Sequence, residues 1–224
     1  MKKGIFITFE GSEGSGKTLQ SNLLVDHLKK MGYSTIYTRE PGGTIISEKI
    51  RKILLNSQNK IDIKTELLLY LSSRSELISK IINPSLLKNQ FIICDRYTDA
   101  SLAYQGYGRG LDINLIKTLN DFSTNKIKPD ITFLLDISPK IGIKRTLEKH
   151  KGKLDRIEQE NLSFHQKVRK GYLSIAKQEP KRIKIIKQDT IDNMQKKNYK
   201  TSIGFDYLNT RAPDTRTPEA GSLE

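Results

Sequence analysis

The chain has 224 residues, 36% of them hydrophobic, and its 39 lysines and arginines against 25 acidic residues give a net charge of +14. That length supports one good core; no apolar run approaches the ~20 residues of a membrane span, and the run after Met1-Lys2-Lys3 is too short for a signal peptide before Glu10 interrupts it. The lysines are scattered over helical faces rather than grouped with aromatics, which argues against a nucleic-acid binder and leaves the charge as an attractor of small polyanions such as nucleotides.

Ile5 to Phe9 reads as a buried strand that runs into Phe9-Glu10-Gly11-Ser12-Glu13-Gly14-Ser15-Gly16-Lys17-Thr18. This is a complete G-x-x-x-x-G-K-S/T loop. Its glycines let consecutive backbone N–H groups turn around phosphates, Lys17 reaches the β/γ oxygens, and the Thr18 hydroxyl can ligate Mg²⁺. The motif names a nucleoside triphosphate as ligand. Leu19, Leu23, Leu24 and Leu28 then recur at helical spacing until Gly32. Thr35 to Thr38 is a short second strand, stopped by Arg39-Glu40-Pro41-Gly42-Gly43. Helical patterns follow through Ile46, Ile50, Ile53 and Leu54, then through Leu67, Leu68, Leu71, Leu77 and Ile81. The strand Phe91 to Cys94 delivers Asp95-Arg96-Tyr97, with Cys94 read as strand packing. Ile131 to Asp136 and Arg182 to Ile186 are the fourth and fifth strands, and Phe164, Val168, Tyr172 and Ile175 form a helical stripe assigned to packing alone.

Strands alternating with helices predict an α/β fold, a five-stranded parallel sheet flanked by helices. One domain is expected over residues 1–190, and residues 191–224 read as a polar segment, largely disordered from about residue 210. Ligands in such sheets sit outside the carboxyl ends of the strands. Asp95 stands where P-loop proteins place an acidic residue that holds Mg²⁺, and Arg96 beside it offers a planar fork for a second anion. With Arg39, Arg51 and Arg74, the cleft holds more cations than one triphosphate needs, so the second substrate is expected to be phosphorylated. A phosphate acceptor is already an oxyanion, so no catalytic histidine is required, and His27, His150 and His165 receive no role. Lys17 is the only cation of the phosphate loop. Arg145, Lys149, Lys151, Lys153 and Arg156 cluster around Gly152 and predict a short basic lid at about residues 145–158.

From about Ile5 to about Ile186 these motifs closely resemble the bacterial thymidylate kinases. The resemblance rests on the phosphate loop, Thr38-Arg39-Glu40-Pro41-Gly42-Gly43, Asp95-Arg96-Tyr97, Ala103-Tyr104-Gln105-Gly106, Pro129-Asp130 and Leu154-Asp155-Arg156-Ile157-Glu158. It implies a three-layer P-loop kinase fold and transfer of the γ-phosphoryl of Mg-ATP to dTMP, giving dTDP for DNA precursor synthesis, by a cytoplasmic homodimer. It also implies roles. Glu10 resembles the carboxylate that accepts from the sugar 3′-hydroxyl, Tyr70 the ring that stacks on thymine and Arg74 the donor to the base carbonyl. Ser101 and Gln105 resemble further base contacts, and Tyr104 the ring that crowds the 2′ position. Arg51 and Arg96 resemble the acceptor-phosphate clamp, with Arg39 and Glu40 beside them. Lys17, Asp95, Arg96 and the lid arginines Arg156 and Arg145 are the expected catalytic groups, and Thr18 and Asp95 the expected metal ligands. Two departures stand out: Ala100 replaces a common serine, and the sequence turns polar and lysine-rich after Asp189. A deoxynucleoside kinase or other small-acceptor P-loop kinase is the alternative enzyme, and a regulatory or motor ATPase the alternative from a different class. The apolar stretches Leu67 to Leu77 and Leu111 to Phe122 are candidates for a dimer surface or for core.

Overall fold

The computed structural model describes residues 4–187, so the expectations for residues 191–224 and for the change after Asp189 lie outside the described residues. The strands are β1 (Ile5–Glu10), β2 (Thr35–Arg39), β3 (Phe91–Asp95), β4 (Ile131–Asp136) and β5 (Ile183–Lys187). The helices are α1 (Lys17–Lys30), α2 (Ile45–Leu55), α3 (Ile63–Leu77), α4 (Asn83–Leu87), α5 (Thr98–Ser101), α6 (Ile113–Thr124), α7 (Pro139–Lys149) and α8 (Leu162–Gln178). Wider π-type turns occupy Ile78–Ile82 and Leu102–Gly108. Hydrophobic periodicity does not announce such turns, because one extra residue per turn only shifts the stripe.

All the strands pair in parallel, in the order β2-β3-β1-β4-β5. Helices cover both faces, so β1 and β3 are apolar runs buried throughout rather than alternating strands. Ile5, Ile7 and Phe9 pack on Leu24, Val25 and Leu28 of α1. Phe6 points the other way, into Leu77, Ile78, Ile82 and Tyr97, as the two-residue period of a strand requires. A third cluster joins Leu134 to Leu67, Tyr104, Phe164, Val168 and Tyr172 beneath the Leu102–Gly108 turn.

Capping follows local chemistry. Thr44, Asp62, Asp112 and Asn161 cap α2, α3, α6 and α8 with side-chain acceptors. Gly16 stands at that position on α1 and supplies none. The first N–H groups of α1 therefore stay available to an anion. Parallel register sets Phe9 opposite Asp95 and Arg39 opposite Asp95 on the other side. That pairing brings the phosphate loop, the Asp-Arg-Tyr turn and the Arg-Glu-Pro-Gly-Gly turn to one sheet edge.

Candidate active site

The phosphate loop curls because Gly11, Gly14 and Gly16 hold positive φ of 142°, 66° and 91°, conformations costly for any residue with a Cβ. Gly14 has a second reason to be glycine. A Cβ there would collide with the carbonyl of Gly142 in α7, which packs directly against the loop. Lys17 is 7% exposed, and its Nζ donates to the carbonyls of Gly11 at 3.1 Å and Ser12 at 2.9 Å. Burial, with Arg96 nearby, pulls its pKa down to about 8, the state of an ammonium waiting for an anionic partner. The Thr18 hydroxyl donates to Asp95 Oδ2 at 2.6 Å. These are hard oxygen donors suited to Mg²⁺, which keeps water and substrate phosphate in most of its coordination positions. Among the described residues no group of three or more His, Cys, Asp or Glu could hold a metal ion.

Across the cleft, Arg96 adopts φ 71°, and its N–H donates to Phe9 O at 2.9 Å. A left-handed arginine is strained, and here the turn sends the guanidinium back over the phosphate loop. Its Nη2 meets Glu13 Oε1 at 2.7 Å, and its Nη1 donates to Gly11 O at 3.0 Å and to the Tyr172 hydroxyl at 3.1 Å. The fork also lies over the Tyr104 ring, 4.9 Å from the centroid. Tyr104 donates its hydroxyl to the same Glu13 oxygen at 2.7 Å. Burial alone would raise the Glu13 pKa, but Arg96 and Lys17 hold it at about 2. Arg51 donates to Pro41 O at 2.9 Å, and Arg39 faces Glu48 at 3.3 Å. A cavity of about 590 Å³ joins these groups, walled by the phosphate loop, Arg39, Arg51, Tyr70, Arg96, Ser101, Tyr104 and Gln105, with Arg145 and Lys149 from α7.

Of the expected site residues, Gly11 and Ser12 of the phosphate loop and Glu10, Arg74 and Arg156 do not border the cavity. Glu10 is fully buried outside the cleft wall, accepting from Tyr97 N–H and the Tyr172 hydroxyl, each at 2.7 Å. Burial, then Asp99, pushes its pKa up to about 8. It is the last residue of β1 and turns toward α8, while Glu13, three residues on, carries the carboxylate that reaches the cleft. Arg74 is 1% exposed and absent from the wall; it pairs with Glu40 at 2.7 Å and donates to Asn120 Oδ1 and Tyr97 O. It ties α3 to α6 and to the turn after β3. Arg156 is also off the wall, donating to Leu54 O at 2.8 Å and to Glu66 Oε2 at 2.6 Å. The turn around Asp155 folds back onto the end of α2, so only Arg145 and Lys149 of the expected lid cations border the cavity.

Around the cavity stand groups that sequence reasoning passed over. Tyr172 was assigned to packing, yet its hydroxyl bridges Glu10 and Arg96. A core aromatic at helical spacing carries no signal for such a bridge. His150, given no role, borders the cavity against Glu158 at 3.2 Å. Glu66 is a buried carboxylate that accepts from Gln105, Arg109 and Arg156.

A phosphate loop at the head of a parallel sheet, facing guanidinium groups from three other elements across one cleft, defines a P-loop kinase of small phosphorylated acceptors. Comparison with known proteins narrows the class. A family model described as thymidylate kinase matches residues 9–198. A thymidylate kinase of Geotalea uraniireducens is 48% identical over 188 residues, covering 82% of this chain and 88% of its own. One from Caldanaerobacter subterraneus subsp. tengcongensis is 49% identical over 184 residues, covering 82% and 87%. The crystal structure of thymidylate kinase from Ehrlichia chaffeensis superposes with a TM-score of 0.70 at 37% identity, covering 86% of this chain and 98% of that one. The chain belongs to the thymidylate kinase family.

Proposed function

We propose that this enzyme phosphorylates dTMP to dTDP with ATP, by direct in-line transfer between two anions held end to end in the cavity. The observation that carries it is the juxtaposition of Thr18 and Asp95 at 2.6 Å with an arginine clamp in the same cavity. The acceptor phosphate is ionised at neutral pH, so the protein's task is alignment and charge neutralisation rather than proton removal.

In this reading the amides of residues 11–18 and Lys17 hold the donor phosphates, and Arg51 and Arg96 grip the acceptor phosphate, with Arg39 and Glu40 at its rim. Lys17 exchanges its two carbonyl partners for phosphate oxygens, which relieves a buried cation. Tyr70 offers its face to the base, Ser101 and Gln105 approach the base edge, and Tyr104 and Glu13 face the sugar. Glu13 takes the hydroxyl-accepting role that the sequence suggested for Glu10. Among the described residues its second carboxylate oxygen receives no bond from the protein. Arg145 and Lys149 supply charge from the lid side. Thr18 and Asp95 would hold a Mg²⁺ accompanying ATP, which when bound neutralises phosphate charge.

A homodimer is supported by apolar residues left in solvent on neighbouring helices: Leu68 of α3 is 56% exposed, and Leu115 and Phe122 of α6 are 53% and 83% exposed. Patches of that kind mark contact surfaces. No helix among the described residues is long and apolar enough to cross a membrane, and a buried lone thiol at Cys94 suits a reducing cytoplasm. A coupled assay offering dTMP, dUMP, thymidine or no acceptor tests the reading. ATP turnover that requires a monophosphate supports it; equal turnover without acceptor overturns it. Sedimentation tests the dimer.

A further inference from the structure

Gln105 and Ser101 both border the cavity, and both are almost wholly buried, at 2% and 1% exposure. They differ in what fixes their polarity. The Ser101 hydroxyl is a buried atom with no partner among the described residues, so it can rotate to donate or accept and discriminates nothing by itself. The Gln105 amide is not free to choose. Its Nε2 donates to Glu66 Oε1 at 2.9 Å, and a carboxylate can only accept. Glu66 is kept ionised by Arg109, which reaches both its oxygens at 3.2 and 3.1 Å, and by Arg156 at 2.6 Å. The amide nitrogen is therefore turned away to Glu66, and the amide oxygen, which takes no bond from the described residues, is the atom left for the cavity.

We propose that Glu66 is a specificity-positioning residue: by capturing the Gln105 nitrogen it presents a fixed carbonyl acceptor to the nucleobase, selecting a pyrimidine with a ring N–H over one with a ring nitrogen lone pair. Thymine and uracil carry a donor at the ring nitrogen flanked by two carbonyls. Cytosine carries an acceptor there, and its lone pair would face the Gln105 oxygen. Burial magnifies the penalty, because neither acceptor has water to turn to. Glu66 touches no substrate; it acts through Gln105. This inference rests on the dTMP reading above and assigns the residue that enforces it.

The test is the ratio of kcat/KM for dTMP to that for dCMP in four proteins: wild type, Glu66→Gln, Gln105→Met and the double variant. A glutamine at 66 can donate as well as accept, so the Gln105 amide is released to flip. The ratio should fall by at least about tenfold in Glu66→Gln, and by a similar factor in Gln105→Met, where the acceptor is gone. In the double variant the Glu66 change should add no further loss of ratio. A merely structural Glu66 would lower both acceptors together and leave the ratio intact, and that result overturns the proposal. Gln105→Met leaves the three arginine contacts of Glu66 in place, so a wild-type ratio in that variant overturns it even if Glu66→Gln does not fold. Wild-type protein with no dTMP turnover would overturn the acceptor reading and this inference together, whereas normal turnover with unmoved ratios overturns this inference alone.

Discussion

In the proposed function the two sides of the cleft hold anions by different means. The proposed donor side is one contiguous loop, residues 11–18, which offers backbone N–H donors and a single lysine that makes no carboxylate hydrogen bond among the described residues. The proposed acceptor side is assembled from β2, α2, α3, the turn after β3 and the Leu102–Gly108 turn; its Arg96 is already engaged by Glu13, while behind the wall Arg74 is held by Glu40, and Arg109 and Arg156 by Glu66. A site made of backbone is as stable as the loop that forms it, and adding an anion satisfies it. A site made of distant side chains must be held in place before substrate arrives, and the carboxylates that hold it are part of the fold's stability.

If this contrast is right, Arg74→Met should be felt first as a loss of stability. It strands the buried Glu40 carboxylate, a change of the kind that costs about 3–5 kcal/mol, and the melting temperature should fall by roughly 10 °C in a thermal denaturation series. Lys17→Ala should do the reverse. Turnover should drop by about 10²–10³-fold in the coupled assay, while the nucleotide-free protein melts no lower, because a buried cation is removed rather than a partner. Arg96→Lys keeps the charge but loses the fork, so kcat/KM for dTMP should fall by roughly 10–10², with the KM for ATP little changed. Tyr172→Phe retains the ring and deletes the bridge between Glu10 and Arg96. About a tenfold loss in kcat/KM for dTMP is expected, and steady-state kinetics would show it.

The subtlest difference lies between two carboxylates three residues apart. Burial raises Glu10 to about 8, so the folded state keeps a proton that the unfolded chain has lost above about 4.5. Its contribution to stability is fully present below the unfolded value and disappears as pH rises toward 8. Glu13, held at about 2 by Arg96 and Lys17 against the pull of burial, contributes stability above about 4.5 that is lost as pH falls toward 2. Denaturant titrations across pH should therefore show Glu10→Gln flattening the alkaline decline and Glu13→Gln flattening the acid one. Identical pH profiles for the two variants would contradict the assignment.

Much of this was readable beforehand, but unevenly. The sheet, the phosphate loop and the pairing of Thr18 with Asp95 follow from runs of apolar residues and motifs in which the reacting atoms sit within a few residues of one another. The expected residues that do not border the cavity share a cause. Glu10 and Glu13 are both carboxylates of the same motif, and only the direction in which β1 releases the chain decides that Glu13 reaches the cleft. Arg156 sits in a motif that matches and Arg74 in a helical stretch between motifs, yet Glu66 captures the one and Glu40 the other, across 90 and 34 residues. Tyr172 packs at core spacing in α8, so its hydroxyl bond to Glu10, across 162 residues, leaves no local trace.

By itself, then, the order of residues determined the parallel sheet, the triphosphate loop and a surplus of cations fit for a second phosphate, because hydrophobic period and glycine placement act over a few residues. Only the tertiary structure decided which carboxylate borders the cavity, which arginines line it and which group the Gln105 amide nitrogen meets. Those choices depend on burial and on charged partners brought together from distant parts of the chain, where the low dielectric makes each pairing decisive.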